Sequence, residues 1–236
     1  MKRIVSGIML TLLVLSTLTL AFKIQSFTVN AAVDPDASMV IVAPSSVMDG
    51  TGNTFTVNIT LLNVVNMWGW SCVITWNPAI VNCTGKQVGP FNPSGTSLIG
   101  VIDNVNGNIP KLVGFTCGCG DTVTGSGIVC FLTFKTKTLG DVNLNVSTAN
   151  YIDYPGEVKH NVPVTQQATI KVTWLGDLNG DFVVDEDDLW HFCGAFIDYY
   201  KIHVLDPKCD FNNDGKIDED DLWTMAGAFI DYWKAH

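Results

Sequence analysis

The sequence is poor in basic residues, and this scarcity limits the partners that the protein can have. It contains 13 lysine and arginine residues against 23 aspartate and glutamate residues, which gives a formal net charge of -10. A protein that binds nucleic acid needs a basic face to neutralise the phosphates. We therefore exclude nucleic acid as a partner.

Residues for common catalytic chemistry are also scarce. The chain has four histidines, and none of them stands beside a serine or cysteine nucleophile motif. The few acids before residue 174, such as Asp103, Asp121 and Asp153, show no spacing that indicates a pair of glycosidase carboxylates. We therefore expect a protein that is not an enzyme.

The chain has one long hydrophobic run, which begins after Lys2 and Arg3 and extends from about residue 4 to 22. Small residues near Ala31 follow it, an order that is typical of a secretory signal peptide over residues 1–31. An uncleaved membrane anchor is the alternative, because a spanning helix needs about 20 apolar residues. In either case we expect the remaining chain to be secreted or to lie at the cell surface.

The seven cysteines lack the Cys-x-x-Cys spacing that is typical of structural zinc sites. In an exported protein they are candidates for disulfides. Cys193 and Cys209 are the two that lie after residue 174, and a bond between them would tie the two halves of the acidic C-terminal region together. Five cysteines precede them, an odd number, so their pairing stays open.

Residues from about 40 to 172 have the pattern of a mainly β protein. Short runs rich in valine, isoleucine, threonine and aromatic residues are bounded by turn residues. Predicted strands include 54–62, 67–76, 127–137 and 168–172. Many short strands with frequent turns predict a β-sandwich or jelly roll over residues 36–173.

Three tryptophans, Trp68, Trp70 and Trp76, fall on one face of the predicted strand 67–76. Aromatic residues on one face of a strand usually point into the core, so we expect core packing. The alternative is an exposed platform on which sugar rings stack.

The β region resembles a cohesin-like domain, particularly the versions of exported archaeal proteins. The residues that carry the resemblance are GNTFTVNIT at 52–60, NVVNMWGW at 63–70, ITWNPAI at 74–80 and GSGIVCFLTFK at 125–135. The resemblance implies a cohesin-like β-sandwich.

The C-terminal region, residues 174–236, contains a duplication. Residues 177–201 recur at 210–234, and 16 of the 25 positions are identical. Each copy begins with an acidic loop and continues with apolar residues at helical spacing. The region holds 15 acids and 4 lysines, so most of the negative charge belongs to it.

Each acidic loop places oxygen donors at positions 1, 3, 5, 7, 9 and 12, which is the pattern that calcium requires. No histidine or cysteine occupies these positions, which disfavours zinc and copper. We predict two calcium ions, with position 7 contributing its backbone carbonyl. The first set is Asp177, Asn179, Asp181, Val183, Asp185 and Asp188; the second is Asp210, Asn212, Asp214, Lys216, Asp218 and Asp221.

Position 6 differs between the loops, since it is Phe182 in the first and Gly215 in the second. This position usually needs a left-handed turn, which costs a bulky residue free energy. We therefore expect a weaker or distorted first site. Position 8 is apolar in both loops, and Val184 and Ile217 could pair as a small strand.

A helix is predicted after each loop but not before it. Each helix carries an apolar stripe, which we expect to form a core shared by the two helices. The first stripe is Leu189, Trp190, Cys193, Phe196, Ile197 and Tyr200; the second is Leu222, Trp223, Ala226, Phe229, Ile230 and Trp233.

A duplicated loop followed by a helix resembles a type I dockerin module. The resemblance implies two bound calcium ions and a helix face that docks onto a cohesin, often in extracellular polysaccharide breakdown. Positions 10 and 11, which help to choose the cohesin in that family, are acidic here: 186–187 and 219–220. They predict a partner with a basic patch.

The sequence therefore predicts a non-catalytic, extracellular, calcium-dependent docking or scaffold protein. We expect its partner to be the cohesin-like domain of another exported protein or of another copy of this chain. The alternative is a carbohydrate-binding surface protein, in which the sandwich holds a polysaccharide and the calcium module acts as an anchor.

The short connection near residue 174 predicts a fixed angle between the two regions.

Overall fold

The structure, a computed structural model, describes residues 32–33, 36–48, 51–116 and 121–236. The predicted signal peptide and two of the cysteines, Cys117 and Cys119, lie outside these residues. This part of the chain contains twelve strands and two helices. The strands are β1 (Ala32–Val33), β2 (Ser38–Val42), β3 (Ser46–Val47), β4 (Thr54–Thr75), β5 (Val81–Val88), β6 (Thr96–Ile99), β7 (Asn108–Thr116), β8 (Val123–Thr136), β9 (Gly140–Asp153), β10 (Lys159–Asn161), β11 (Val164–Gln166) and β12 (Ala168–Val172). The helices are α1 (Glu186–Ile202) and α2 (Glu219–Ala235).

The long strand β4 organises the sandwich. Its first half pairs antiparallel with β2 and β8, and its second half pairs antiparallel with β7 and β9. The predicted strands 54–62 and 67–76 are therefore two halves of one strand. The single strand β4 thus joins two groups of strands: β2 and β8 pair with its first half, and β7 and β9 pair with its second half.

Two bulges separate the halves of β4. Asn63 and Asn66 have φ angles of 54° and 50°, and the register with β8 shifts on either side of Val64. Asparagine tolerates this left-handed conformation better than most residues. The two displaced N–H groups donate to Ser126 Oγ and Thr124 Oγ1, both at 2.9 Å, so the bulges leave neither donor unsatisfied.

The remaining strands complete the two sets. β5 pairs with β8, β6 pairs with β7, and β11 runs parallel to β2. On the other side β9 pairs with β10 and β12, while β1 and β3 run parallel to β10 and β12 respectively. Alternate residues of these strands point into one hydrophobic core, which confirms the expected mainly β architecture.

Two of the three tryptophans at 68–76 pack inward: Trp70 of β4 and Trp76, the residue after it. Trp70 and Trp76 are 2% and 5% exposed, and Trp68 is half-buried. The Trp70 indole N–H donates to Asn92 Oδ1 at 2.8 Å, and Trp76 makes an edge contact with Phe134. Core packing is therefore confirmed for Trp70 and Trp76. The exposed sugar-stacking platform that the alternative required is absent from these described residues.

The sandwich and the C-terminal region are in direct contact. The Thr173 N–H donates to the Val47 carbonyl at 3.0 Å, and the Lys171 ammonium donates to the Gly180 carbonyl at 3.0 Å. Met48 and Trp174 also pack against the small C-terminal core. Within the described residues, neither helix is long and apolar enough to cross a membrane.

Candidate calcium-binding module

Both acidic loops lead directly into a helix. The first loop follows β12, and the second follows the irregular segment 203–209, so neither has a helix ending at its first residue. Asp185 and Asp218, at position 9, are the N-caps of α1 and α2. Their carboxylates accept the N–H groups of Asp187 and Asp220 at 3.0 and 3.1 Å. The loop-then-helix order therefore agrees with the sequence prediction.

Position 12 closes each loop onto its own helix. Asp188 Oδ2 accepts the Asp185 N–H at 3.1 Å, and its Oδ1 accepts the Leu178 N–H at 2.8 Å. Asp221 repeats this arrangement with Asp218 at 3.0 Å and Phe211 at 2.7 Å. Each position-12 carboxylate therefore joins the start of its loop to the start of its helix.

Position 1 is held by the turn of the loop. Asp177 Oδ1 accepts the Gly180 N–H at 2.7 Å, and its Oδ2 accepts the Phe182 N–H at 2.9 Å. Asp210 Oδ2 accepts the N–H of Gly215, the equivalent residue of the second loop, at 2.9 Å. The two loops thus share the bond between the position-6 N–H and the position-1 carboxylate.

Positions 1 and 12 carry buried negative charge. Asp177 and Asp188 are 2% and 0% exposed, and Asp210 and Asp221 are 6% and 0% exposed. Within the described residues, no lysine or arginine forms an ion pair with any of these four. The pKa of Asp177 is raised above its ordinary value. Burial is the largest cause, the charge of Asp188 adds to it, and hydrogen bonds from backbone N–H groups oppose it. Such carboxylates favour a bound cation.

The donors at positions 3 and 5 lie at the surface and shape the loop. Asn179 Oδ1 accepts the Asp181 N–H, and Asp181 Oδ1 accepts the Val183 N–H, both at 2.9 Å. In the second loop Asn212 and Asp214 make the same bonds at 3.0 and 2.9 Å. All side-chain donors of the two loops are oxygens, which fits a hard cation such as calcium.

The structure does not bring the loop carboxylates together as a compact group. Among the described residues, no three loop carboxylates have oxygens that all lie within 4.8 Å of one another. The chemistry of the donors, which are all oxygens, is what favours calcium.

Position 6 has the left-handed conformation that the sequence predicts. Phe182 has a φ of 72°, and Gly215 has a φ of 84°. A side chain at this angle costs about 1–2 kcal/mol. The Lys171 ammonium lies 5.0 Å from the centre of the Phe182 ring, so the first loop contains a contact that the second cannot make.

A small hydrophobic core lies beneath the two loops. Its buried members are Leu178, Val184, Phe192, Cys209, Ile217 and Met225. The position-8 residues Val184 and Ile217 are both fully buried, but no β-bridge joins them in the described chain. The predicted pairing of these two residues as a small strand is therefore wrong. Both side chains instead pack into the small core.

The predicted core shared by the two apolar stripes is wrong for most of its members. The inward faces of the helices consist instead of Phe192, Ala195, Phe196, Tyr199, Met225, Ala228, Phe229 and Tyr232. Phe196 and Phe229 are the members that the two patterns have in common. Both helices carry apolar residues on more than half of their circumference, so periodicity alone could not decide which face points inward.

We use the term outer helix face for the exposed apolar residues of α1 and α2. They occupy equivalent positions in the two copies: Leu189, Trp190, Ile197 and Tyr200 in α1, and Leu222, Trp223, Ile230 and Trp233 in α2. Trp190 and Trp223 are 74% and 75% exposed. The acidic pairs 186–187 and 219–220 are exposed at the start of the same helices.

The candidate pair Cys193 and Cys209 is not bonded in the structure, where both residues are free thiols. Cys209 is fully buried, and burial, assisted by the charges of Asp206 and Asp221, raises its pKa to about 12. Its sulfur lies near His191 and Asp206, a group that the sequence analysis did not find.

No family model matches the sequence, and no curated protein is similar to it. Solved structures do resemble the sandwich. A cohesin module of a family 33 glycoside hydrolase from Clostridium perfringens has a TM-score of 0.50 and 10% identity, covering 58% of this chain and 97% of that chain. This likeness shows that the fold is cohesin-like and shows nothing beyond the fold.

Two further cohesins have lower scores. A type II cohesin domain from the cellulosome of Acetivibrio cellulolyticus has a TM-score of 0.49 and 15% identity, covering 62% of this chain and 98% of that chain. A non-cellulosomal cohesin from the archaeon Archaeoglobus fulgidus has a TM-score of 0.45 and 12% identity, covering 65% of this chain and 96% of that chain.

Proposed function

We propose that this chain is a non-catalytic docking or scaffold protein that acts outside the cytoplasm and depends on calcium. The observation that carries the proposal is the coincidence of two features in each repeat. Each loop buries two carboxylates without a lysine or arginine ion pair, and the helix that follows carries exposed tryptophan. Together these features suit a surface whose structure a cation stabilises.

Calcium would be held by the six donors of each loop, and it would supply the positive charge that the buried carboxylates lack. Asp188 and Asp221 would transmit this effect, because each links the first residues of its loop to the N-cap of its helix. The ion would thereby stabilise the helix start and hold the outer helix face in place.

The outer helix face is the proposed docking surface. Tryptophan and tyrosine on an exposed face are the residue types that most often dominate binding energy. We propose that this face binds the cohesin-like sandwich of another exported protein or of another copy of this chain. The exposed acidic pairs at 186–187 and 219–220 favour a sandwich with a basic patch.

A link to polysaccharide would come through the assembly rather than through the tryptophans at 68–76. Trp70 and Trp76 are buried and cannot stack on a sugar ring, and Trp68 is half-buried. The alternative of a carbohydrate-binding sandwich therefore loses two of its three tryptophans, while a role as a connector in a polysaccharide-degrading assembly remains part of the proposal.

Calcium titration and sedimentation of the full chain test the proposal. Calorimetry should give two binding events with a gain of helical circular dichroism, and no binding would overturn the calcium part. Sedimentation over a range of concentrations should give oligomers in calcium and monomers in chelator. A monomer in both conditions would overturn self-association, and capture of a separate cohesin-like domain would then test docking to another protein.

A further inference from the structure

We propose that His191, Asp206 and Cys209 form a zinc-type metal site that is separate from the two acidic loops. His191 lies on α1, whereas Asp206 and Cys209 lie in the segment 203–209 that precedes the second loop. A His Nε2, an Asp oxygen and a Cys sulfur all lie within 4.8 Å of one another. This mixed donor set suits zinc rather than calcium.

The distances require little movement. His191 Nε2 and Asp206 Oδ2 are 3.0 Å apart. In a tetrahedral site, zinc bonds of 2.0–2.3 Å place neighbouring ligand atoms on the order of 3.3–3.7 Å apart. His191 Nε2 and Asp206 Oδ2 would therefore move slightly apart, and the Cys209 sulfur would move closer to both. The three atoms would then be placed to bind one zinc ion.

The backbone already positions the two ligands of the segment. Asp206 Oδ1 accepts the Lys208 N–H, and the Asp206 carbonyl accepts the Cys209 N–H, both at 3.0 Å. The Lys208 ammonium donates to the Leu178 carbonyl at 3.1 Å, which fixes the turn against the first loop. One oxygen of Asp206, Oδ1, is thus held by a hydrogen bond, while the other, Oδ2, faces His191. A carboxylate that binds a metal through one oxygen commonly has such a supporting hydrogen bond.

An ion pair alone does not account for this group. The contact between His191 and Asp206 explains two of its members, but the sulfur of Cys209 is a poor partner for either of them. Cys209 is fully buried, while the side chains of His191 and Asp206 are 38% and 32% exposed. The group therefore extends from the small core to the surface, which provides a route for a metal ion.

The repeat supplies an independent argument. His191 lies at one of the positions where the two copies differ, since its equivalent at the offset of 33 is Thr224. Asp206 and Cys209 lie in the segment between the copies, and the residues 33 positions earlier, Thr173 and Gly176, offer neither a carboxylate nor a thiolate. A core built for packing alone does not require this combination.

The fourth ligand is expected to be water. A cavity of about 380 Å³, to which Trp190, Gly194 and Asp198 contribute, adjoins His191 and Asp206 and is open to solvent. On binding, the Cys209 thiol loses its proton to solvent and coordinates as the thiolate. The ion would cross-link α1 to the start of the second loop.

Cobalt titration of the full, reduced chain tests this site, with calcium in excess so that the acidic loops are saturated. One equivalent of Co²⁺ should produce a thiolate-to-cobalt charge-transfer band and tetrahedral visible bands, and Zn²⁺ should displace them. Cys209→Ser should abolish the charge-transfer band. His191→Thr, which introduces the residue of the other copy at an exposed position, should weaken binding at least tenfold.

Cys193→Ser is the matched control, because it removes the other thiol of the region and should leave the bands unchanged. A parent chain without a thiolate band would overturn the site, and so would a band that persists in Cys209→Ser or a cobalt affinity that is unchanged in His191→Thr. A Cys193–Cys209 disulfide in the exported protein, detected by mass spectrometry, would also overturn it. Because the charge-transfer band requires a cysteine thiolate and neither acidic loop contains a cysteine, these outcomes are independent of the calcium proposal.

Discussion

The ammonium group of Lys171 lies 5.0 Å from the ring centre of Phe182 and donates a hydrogen bond to the Gly180 carbonyl at 3.0 Å. Lys171 belongs to β12, so the last strand of the sandwich contacts the first acidic loop. The cation–π contact contributes about 0.5–1 kcal/mol. It thereby offsets part of the about 1–2 kcal/mol that a left-handed Phe182 costs.

Replacing Phe182 with glycine should strengthen the first loop. The left-handed backbone strain would disappear, while the contact with Lys171 would be lost, so the net gain should be about 1 kcal/mol or less. Calorimetric titration with calcium should show the two sites becoming more similar in affinity.

Gly215→Ala is the matched reverse change, since its new Cβ would meet no atom within 4 Å and would introduce strain alone. It should weaken the second site by about 1 kcal/mol. If neither variant changed calcium affinity, the left-handed position would have no influence on binding.

Asparagine at position 12 should remove calcium binding from one loop at a time. Asp188→Asn and Asp221→Asn preserve the size of the buried side chain but remove its charge, and each should eliminate one of two calorimetric binding events. Asp187→Asn and Asp220→Asn are the controls, because these neighbours are exposed. Two unchanged events in the position-12 variants would contradict the assigned ligands.

Alanine at Trp190 and Trp223 should impair docking without unfolding the module. Both side chains are about three-quarters exposed (74% and 75%), so the free energy of unfolding should change by about 0.5 kcal/mol or less. Loss of each docking contact should cost about 2 kcal/mol or more of binding free energy. Sedimentation, or binding to an immobilised cohesin-like domain, would measure the effect.

Phe192→Ala provides the contrast, because this side chain is 1% exposed in the small core. It should lower the free energy of unfolding by about 3–5 kcal/mol. Unimpaired docking in the double tryptophan variant would rule out the outer helix face as the binding surface.

Gly114→Ala should destabilise the sandwich. A Cβ at this position would lie 2.3 Å from Trp70 Nε1, so the indole would have to leave its hydrogen bond with Asn92. We expect a loss of about 1–3 kcal/mol in urea denaturation.

Gly85→Ala tests the same change on a strand with space for it, since the nearest atoms would be 3.9 Å away. It should be neutral or slightly stabilising. Equal effects of the two variants would show that the contact between Gly114 and Trp70 does not limit the packing of the core.

The local patterns of the sequence predicted several features well. Alternating apolar residues placed Trp70 and Trp76 in the core, because successive side chains of a strand must point to opposite faces. The repeat predicted the left-handed backbone at Phe182, because Gly215 occupies the same position of the second loop. That position has the same backbone geometry whichever residue occupies it. In these cases the determining interactions lie within a few residues.

The sequence alone determined a mainly β region, a duplicated acidic loop with a helix after it, and the oxygen donors of two predicted calcium sites. Tertiary structure decided that 54–75 is one bent strand, because the bulges at Asn63 and Asn66 are satisfied by distant Ser126 and Thr124. It also decided which helix face is buried and that Cys209 lies near His191 rather than bonded to Cys193. These outcomes depend on which elements pack together. The local sequence of an apolar helix or of a cysteine does not specify which distant residues will pack against it.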